Sequence, residues 1–285
     1  MFGKGKQLIG LDIGTSAVKV VALKEQMKGY SLQALGYEPL PPEVIVDGAI
    51  MDSTIVVEAM QKIIKDQKIR RKNVALSVSG HSVIVKKITL PKMSQDELDE
   101  SIHWEAEQYI PFDIDDVNID FHILEEQEVA GNEMEVILVA VKKDKVNDYT
   151  NLVRQAGLTP AVVDVDGFAI GNQFEINYGL DSDRVVALID VGAGVMNINI
   201  MQGKQHMLYR DISIGGNQFT DALQKELNVS FQQAEGIKRG EDVDGISPDV
   251  AEEIINSVAE DLSHEIQRSF DYFKATTSTS GIDQV

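Results

Sequence analysis

The sequence predicts an α/β fold of two related lobes around a shared cleft, and three observations lead there. The apolar run Leu8-Ile9-Gly10-Leu11 delivers Asp12-Ile13-Gly14-Thr15-Ser16, and Val185-Val186-Ala187-Leu188-Ile189 delivers Asp190-Val191-Gly192-Ala193-Gly194. One such turn is a common hairpin; two copies after equivalent strands point to duplication. The length of 285 residues exceeds one small core and suits two lobes. From Val185 the chain also restarts its opening order of strand, glycine turn, strand, turn and strand. A strand ending in Asp-x-Gly-x-(small) suits a nucleotide phosphate tail. Glycine lets backbone amides close around an anion, and the carboxylate reaches the accompanying Mg²⁺, usually through water.

The elements follow in order. Gln7 to Leu23 reads as strand, turn and strand, with Ala17 to Leu23 β-branched and apolar enough for a central position. Tyr30 to Tyr37 adds a strand, and the three prolines of Glu38-Pro39-Leu40-Pro41-Pro42-Glu43 stop regular structure. Ser53 to Lys65 is an amphipathic helix capped by Ser53 or Thr54, its buried side Ile55, Ala59, Ile63 and Ile64. Strands follow at Val74 to Gly80 and Val83 to Leu90; Ser94-Gln95-Asp96-Glu97 then opens a helix to Tyr109 through a capping box. Strands near Val117 to Glu125 and Glu133 to Val141 flank a Gly131-Asn132 turn. Lys143 to Gly157 is a helix, Ala161 to Val165 a strand and Gly167 to Gly179 a helix.

In the second half, strands at Val185, Met196 to Met201 and His206 to Asp211 precede helices from Gly215 to Leu227 and Ser230 to Arg239. Ser247-Pro248 starts a long helix whose Val250, Ile254, Val258, Leu262, Ile266 and Phe270 recur every four residues and face a core. Ile282 to Val285 begins a strand. The division expected is a first lobe over 1–180 with an inserted subdomain around 70–142, and a second lobe over 181–285.

Composition narrows function. A net charge of −20 repels nucleic acid and anionic lipid, so no nucleic-acid role is expected. The chain has no cysteine, which fits a reducing compartment and rules out thiolate metal sites. Apolar runs such as Val136 to Val141 are strand-sized, and no direct membrane insertion is expected.

Four segments together resemble a known family: Gly10-Leu11-Asp12-Ile13-Gly14-Thr15-Ser16-Ala17-Val18-Lys19, Glu105-Ala106-Glu107-Gln108-Tyr109-Ile110-Pro111-Phe112, Arg210-Asp211-Ile212-Ser213-Ile214-Gly215-Gly216-Asn217 and Ala234-Glu235-Gly236-Ile237-Lys238. Over nearly the whole chain they resemble the PilM family, the actin-like proteins of type IV pilus assembly. That family is similar to the division protein FtsA and, more distantly, to actin, Hsp70 and the sugar kinases. The resemblance implies a bilobed actin-like ATPase fold, two duplicated ribonuclease-H-like lobes with ATP and Mg²⁺ between them. It implies that Asp12 and Asp190 organise the metal through water, and that Gly14, Thr15 and Ser16 hold phosphates while Lys19 adds a cation. Gly192, Ala193 and Gly194 form the opposing phosphate turn, Gly215 and Gly216 let the chain pass close to the nucleotide, and Glu235 and Lys238 contact ribose and adenine. By spacing alone, Glu235 and Lys238 share one helix face, which a plain surface ion pair also explains.

The resemblance further implies a scaffold with at most slow hydrolysis, cytoplasmic and held at the inner membrane through partners. Those partners are the cytoplasmic N-terminal peptide of PilN, the pilus motor ATPases and, through self-association, other copies. The Tyr109-Ile110-Pro111-Phe112 tip is a candidate anchor for the peptide, with burial in its own lobe the equal alternative. An FtsA-like division filament and a small-molecule kinase with Asp190 as base are the competing readings. Two departures stand out: the turn after Asp190 reads Ala193-Gly194-Val195-Met196, where related proteins often carry a hydroxyl residue, and the chain ends at Val285, before the family's Gly-Gly turn and closing helix. A shortened chain with weaker ATP binding is the expectation. His103 and Glu107 share a helix face without a third ligand; His264-Glu265 lacks the second histidine of a metalloprotease, having Arg268 instead. His81, His122 and His206 receive no role, and Trp104 is expected in a core or lobe contact rather than as a substrate platform, with an interface role the alternative.

Overall fold

The computed structural model describes residues 8–27, 29–124, 132–179, 181, 183–277 and 281–285. The expected Gly131-Asn132 turn and the end of the preceding strand fall partly outside these residues. In the first lobe, β1 (Ile9–Ile13), β2 (Ala17–Gln26) and β3 (Gly29–Pro39) form an antiparallel meander. Onto β1 are added, in parallel, β6 (Asn73–Val78) and then β10 (Thr159–Val165), giving the order β10-β6-β1-β2-β3. Between β3 and β6 lie a two-residue-stranded hairpin, β4 (Ile45–Val46) with β5 (Ala49–Ile50), and helix α1 (Ser53–Asp66).

Alternation decides which face of this sheet is dry. Ile9, Leu11 and Ile13 of β1 and Val18 and Val20 of β2 are buried in one cluster with Val56, Ala59, Met60 and Ile63 of α1. Tyr149, Leu152 and Val153 of α3 (Lys143–Gln155) join the same cluster. Each such side chain contributes about 1.5–3 kcal/mol by leaving water. Gly36 allows the close packing of α1 on β3, since a Cβ there would stand 2.1 Å from Ile63 Cγ2. The α1 expectations need correcting: the cap is Asp52, whose carboxylate accepts from the Thr54 and Ile55 amides at 2.9 and 3.2 Å. Val56 and Met60 take the buried places assigned to Ile55 and Ile64, which are only partly covered.

A separate sheet, β7 (Val83–Pro91), β9 (Glu133–Lys142) and β8 (Val117–Ile123) in the order β7-β9-β8, carries its own core under α2 (Gln95–Glu107). The Ser94 capping box forms as read. Although β6 lies inside the range 70–142, it belongs to the five-stranded sheet. Ile110 is buried in the α2 core with Tyr109 and Phe112 packed around it, so the expected anchoring tip packs into its own lobe. Trp104 is the reverse of expectation, 79% exposed on α2.

Helix α4 (Asp166–Tyr178) leads to the second lobe, where β11 (Val185–Val191), β12 (Met196–Gln202) and β13 (Gln205–Ile212) repeat the antiparallel meander of β1-β2-β3. Helices α5 (Gly216–Leu227), α6 (Phe231–Lys238) and α7 (Pro248–Thr276) complete it. Phe273 and the partly buried Leu262, Ile266 and Phe270 of α7 pack on Ile198 and Ile200 of β12. Val250, expected on the buried stripe, is exposed, and Ala251 is buried in its place. Gln284 forms a parallel bridge to Val186, so the last described residues do extend the second-lobe sheet.

Candidate phosphate-binding cleft

The β1–β2 and β11–β12 turns are closed alike: the Gly14 amide donates to Ala17 O at 3.1 Å, and the Gly192 amide to Val195 O at 3.0 Å. The two turns meet tip to tip, where a Cβ on Gly194 would lie 2.9 Å from Thr15 Oγ1. Between them is a cleft of about 110 Å³ lined by Asp12, Gly14, Thr15, Ser16, Lys19, Asp190, Gly192, Ala193 and Gly194. Nine of the thirteen residues singled out from sequence therefore share one space.

Charge is arranged unevenly in it. Lys19 stands across the ladder from Asp12, its Nζ 2.6 Å from Oδ2. Burial lowers the Lys19 pKa, but the hydrogen bond and charge of Asp12, with Asp190 behind, outweigh it and raise the value overall. Asp190 has Asn197 across its ladder instead. Burial, followed by the carboxylates of Asp12 and Asp166, pushes the Asp190 pKa up, and Lys19 opposes the shift.

The other four residues lie directly behind the second turn. The Gly216 amide donates to Gly192 O at 2.9 Å and the Asn217 amide to Ala193 O at 2.8 Å, seating α5 on the turn. Gly215 is required there, because a Cβ would stand 2.4 Å from Gly192 O. Lys238 Nζ donates to Gly216 O at 3.1 Å, to Thr220 Oγ1 at 2.8 Å and to Glu235, which also accepts from Thr220. Burial raises the Glu235 pKa, yet Lys238 and Thr220 together hold it below the usual carboxylate range. Glu235 and Lys238 are thus a half-buried, hydrogen-bonded unit, not a solvent-exposed pair.

Sequence reasoning missed several walls of the cleft: Asp166 at the start of α4, Lys145 and Tyr149 of α3, the Asp47-Gly48 turn, and Ser77 to His81. Asp166 ends a strand as Asp12 and Asp190 do, and that signal was available. The lobes are joined along these walls, where Asp211 accepts from the Gly80 amide at 2.5 Å and Ser213 Oγ meets His81 Nε2 at 2.8 Å; Asn197, across the ladder from Asp211, donates to it at 2.5 Å. Histidine 81 so gains a structural partner 132 positions away. His103 and Glu107 are both exposed. Among the described residues no three His, Asp or Glu side chains converge to hold a metal on their own. Two facing carboxylates with open backbone turns fit Mg²⁺ that arrives with phosphate oxygens and keeps its waters.

Two duplicated lobes, with glycine turns and strand-end carboxylates facing across one cleft, define the actin-like ATPase fold. Solved structures agree: EutJ, an ethanolamine utilization protein from Carboxydothermus hydrogenoformans, shares 14% identity at a TM-score of 0.54, covering 95% of this chain and 72% of that one. MreB5 of Spiroplasma citri, bound to ADP, shares 17% at 0.52 over 95% and 79%. The family model of the type IV pilus assembly protein PilM matches residues 10–285, and the chain belongs to that family. A solved chain of a PilM–PilN type IV pilus biogenesis complex is 28% identical with a TM-score of 0.84, covering 95% of this chain and 79% of that one. Cell division protein FtsA of Bacillus subtilis (strain 168) is 24% identical over 259 residues, 81% of this chain; the match spans 57% of FtsA. Among the described residues no helix is long and apolar enough to cross a membrane.

Proposed function

We propose that the protein is an ATP- and Mg²⁺-binding scaffold of the type IV pilus assembly complex, which takes the cytoplasmic N-terminal peptide of PilN and works peripherally at the inner membrane. The observation that carries the nucleotide half is the convergence of two equivalent Asp-x-Gly turns, with Lys19, on one small cleft. Asp12 and Asp190 would hold the metal through water, Gly14, Thr15, Ser16 and the 192–194 turn the phosphates. Gly215, Gly216, Glu235 and Lys238 would lie on the adenosine side. When bound, Mg²⁺ supplies charge that the two carboxylates and a phosphate chain share. The two lobes, 1–180 and 181–285, would differ in spacing with occupancy, because a ligand clamped by both has greater affinity for the closed form. The partner half is supported by the likeness to a PilM chain solved with PilN.

Calorimetric titration of Mg·ATP into the wild-type chain and Asp12→Ala tests the first half. The expected loss is about 10- to 100-fold in affinity with an unchanged melting temperature. Equal affinities would refute the metal-side role of Asp12. A pull-down with a PilN N-terminal peptide, repeated with and without ATP, tests the second half, and no capture in either state would remove it.

A further inference from the structure

The cleft contains a second lysine whose situation differs from that of Lys19. Lys145, in the first turn of α3, directs its Nζ to Gly48 O at 2.8 Å and to the Tyr149 hydroxyl at 3.0 Å, and lies 4.2 Å from the centre of the Tyr149 ring. All three partners are neutral. Among the described residues Lys145 makes no ion pair, whereas Lys19 is held by the Asp12 carboxylate. A partly buried ammonium satisfied only by neutral oxygens and a ring face retains its charge for an anion. Burial depresses its pKa even though Asp166, Asp148 and Asp211 pull the other way, so its desolvation is not offset by its surroundings.

Position says which anion. The residues proposed for adenosine, Gly215, Gly216, Glu235 and Lys238, are packed behind the 192–194 turn on the second lobe. That turn touches Thr15, and Lys145 with the Asp47-Gly48 turn lines the same cleft from the first lobe. Lys145 therefore shares with both glycine turns the space in which a phosphate chain would lie, on the lobe opposite Gly216 and Lys238. We propose that Lys145 binds the terminal phosphate of ATP and so distinguishes ATP from ADP. This rests on the nucleotide reading given above. Its bond to Gly48 also ties the β4–β5 hairpin to the same site, the turn being held in left-handed backbone with φ of 50° at Asp47 and 75° at Gly48.

The test is calorimetric titration of the full chain and its Lys145→Met and Lys145→Arg variants with Mg·ATP, Mg·ADP and inorganic tripolyphosphate, beside thermal melts of each. Lys145→Met is expected to lose about tenfold or more for ATP and tripolyphosphate, the scale of one charged hydrogen bond, and under about threefold for ADP. Lys145→Arg should recover part of the loss. Equal changes for ATP and ADP, or none for either, overturn the proposal, as does a loss matched by a collapsed melting temperature in Met and Arg variants alike. Wild-type binding of tripolyphosphate but not ATP, with the Lys145→Met loss retained, overturns the nucleotide reading and leaves Lys145 as a polyphosphate ligand. A wild type that takes none of the three overturns both.

Discussion

In the first lobe the carboxylate at the end of β1 stands across its ladder from Lys19; in the second, the equivalent carboxylate at the end of β11 stands across from Asn197. The backbones around them are alike, down to the amide of the second residue on closing the turn. The charges are not. Asp12 arrives with a cation at 2.6 Å, and Asp190 is raised in pKa by burial and by two neighbouring carboxylates. Duplication has kept the part that shapes the glycine turn and varied the part that sets its potential. The sheets behind the turns differ as well. Every residue of β12 from Met196 to Met201 is buried, whereas β3 leaves Leu32, Leu35 and Tyr37 about 60% exposed.

The largest expected contrast concerns those sheets. Ile198→Ala on β12 should cost about 2–5 kcal/mol, because it empties a fully buried site under α7. Leu35→Ala on β3 should stay within about 0.5 kcal/mol. Urea denaturation of both measures it, and equal losses would show that β3 is covered in solution.

Next is a pH effect centred on His206 of β13, where the second lobe meets the first. Burial, with a smaller contribution from His122, lowers the pKa of His206 from 6.5 to about 4, and the ring lies 3.0 Å from Asn199 Oδ1 and against Phe168. The folded state therefore binds this proton later than the unfolded chain does. The stability is fully present above pH 6.5 and is lost as pH falls toward 4, by up to roughly 3 kcal/mol. His206→Gln should flatten that part of the stability profile; a profile that is unchanged would mean other groups carry the acid dependence.

The turns themselves should respond unequally to a methyl group. Gly215→Ala places Cβ 2.4 Å from Gly192 O and 2.7 Å from Ala193 O, both backbone, and should cost about 1–3 kcal/mol. Gly14→Ala comes no nearer than 3.2 Å, to Ala17 O, and should cost less. Denaturant midpoints that reverse this order would break the argument that α5 is seated by close backbone approach.

The smallest effect sharpens the electrostatic comparison. The Asp12–Lys19 pair is about half exposed, so Lys19→Met should change stability by under about 1 kcal/mol. It should nevertheless raise the Asp190 pKa, since Lys19 is the group holding it down. Carboxyl-detected NMR titration reads that shift, and an unmoved Asp190 would show that the lysine field does not cross the cleft.

What could be read along the chain follows the range of the interactions. Asp12-Ile13-Gly14 and Asp190-Val191-Gly192 were legible because a strand, its last carboxylate and its glycine turn lie within a few residues. So was the capping box at Ser94, whose two partners are three positions apart. The Asp52 cap was misplaced by one or two residues because Asp52, Ser53 and Thr54 are all good caps and only the local dihedrals separate them. Trp104 was misread because its helix is buried on Leu98, Ile102 and Ala106, and the face left to water is chosen by the sheet beneath.

The sequence by itself determined the duplicated strand–turn units and the actin-like family, since both reside in short-range patterns and in motifs that recur at a fixed chemistry. Only the tertiary structure decided that Asp211 would join the lobes through Gly80, 131 positions earlier, and that Glu235 and Lys238 would close on Thr220 behind the Gly192 turn. It alone set Lys145 against Gly48, 97 positions away, with no ion pair to it among the described residues. The physical reason is that a side chain's charge balance depends on what packing brings within a few ångströms, and packing over such separations leaves no periodic trace in the chain.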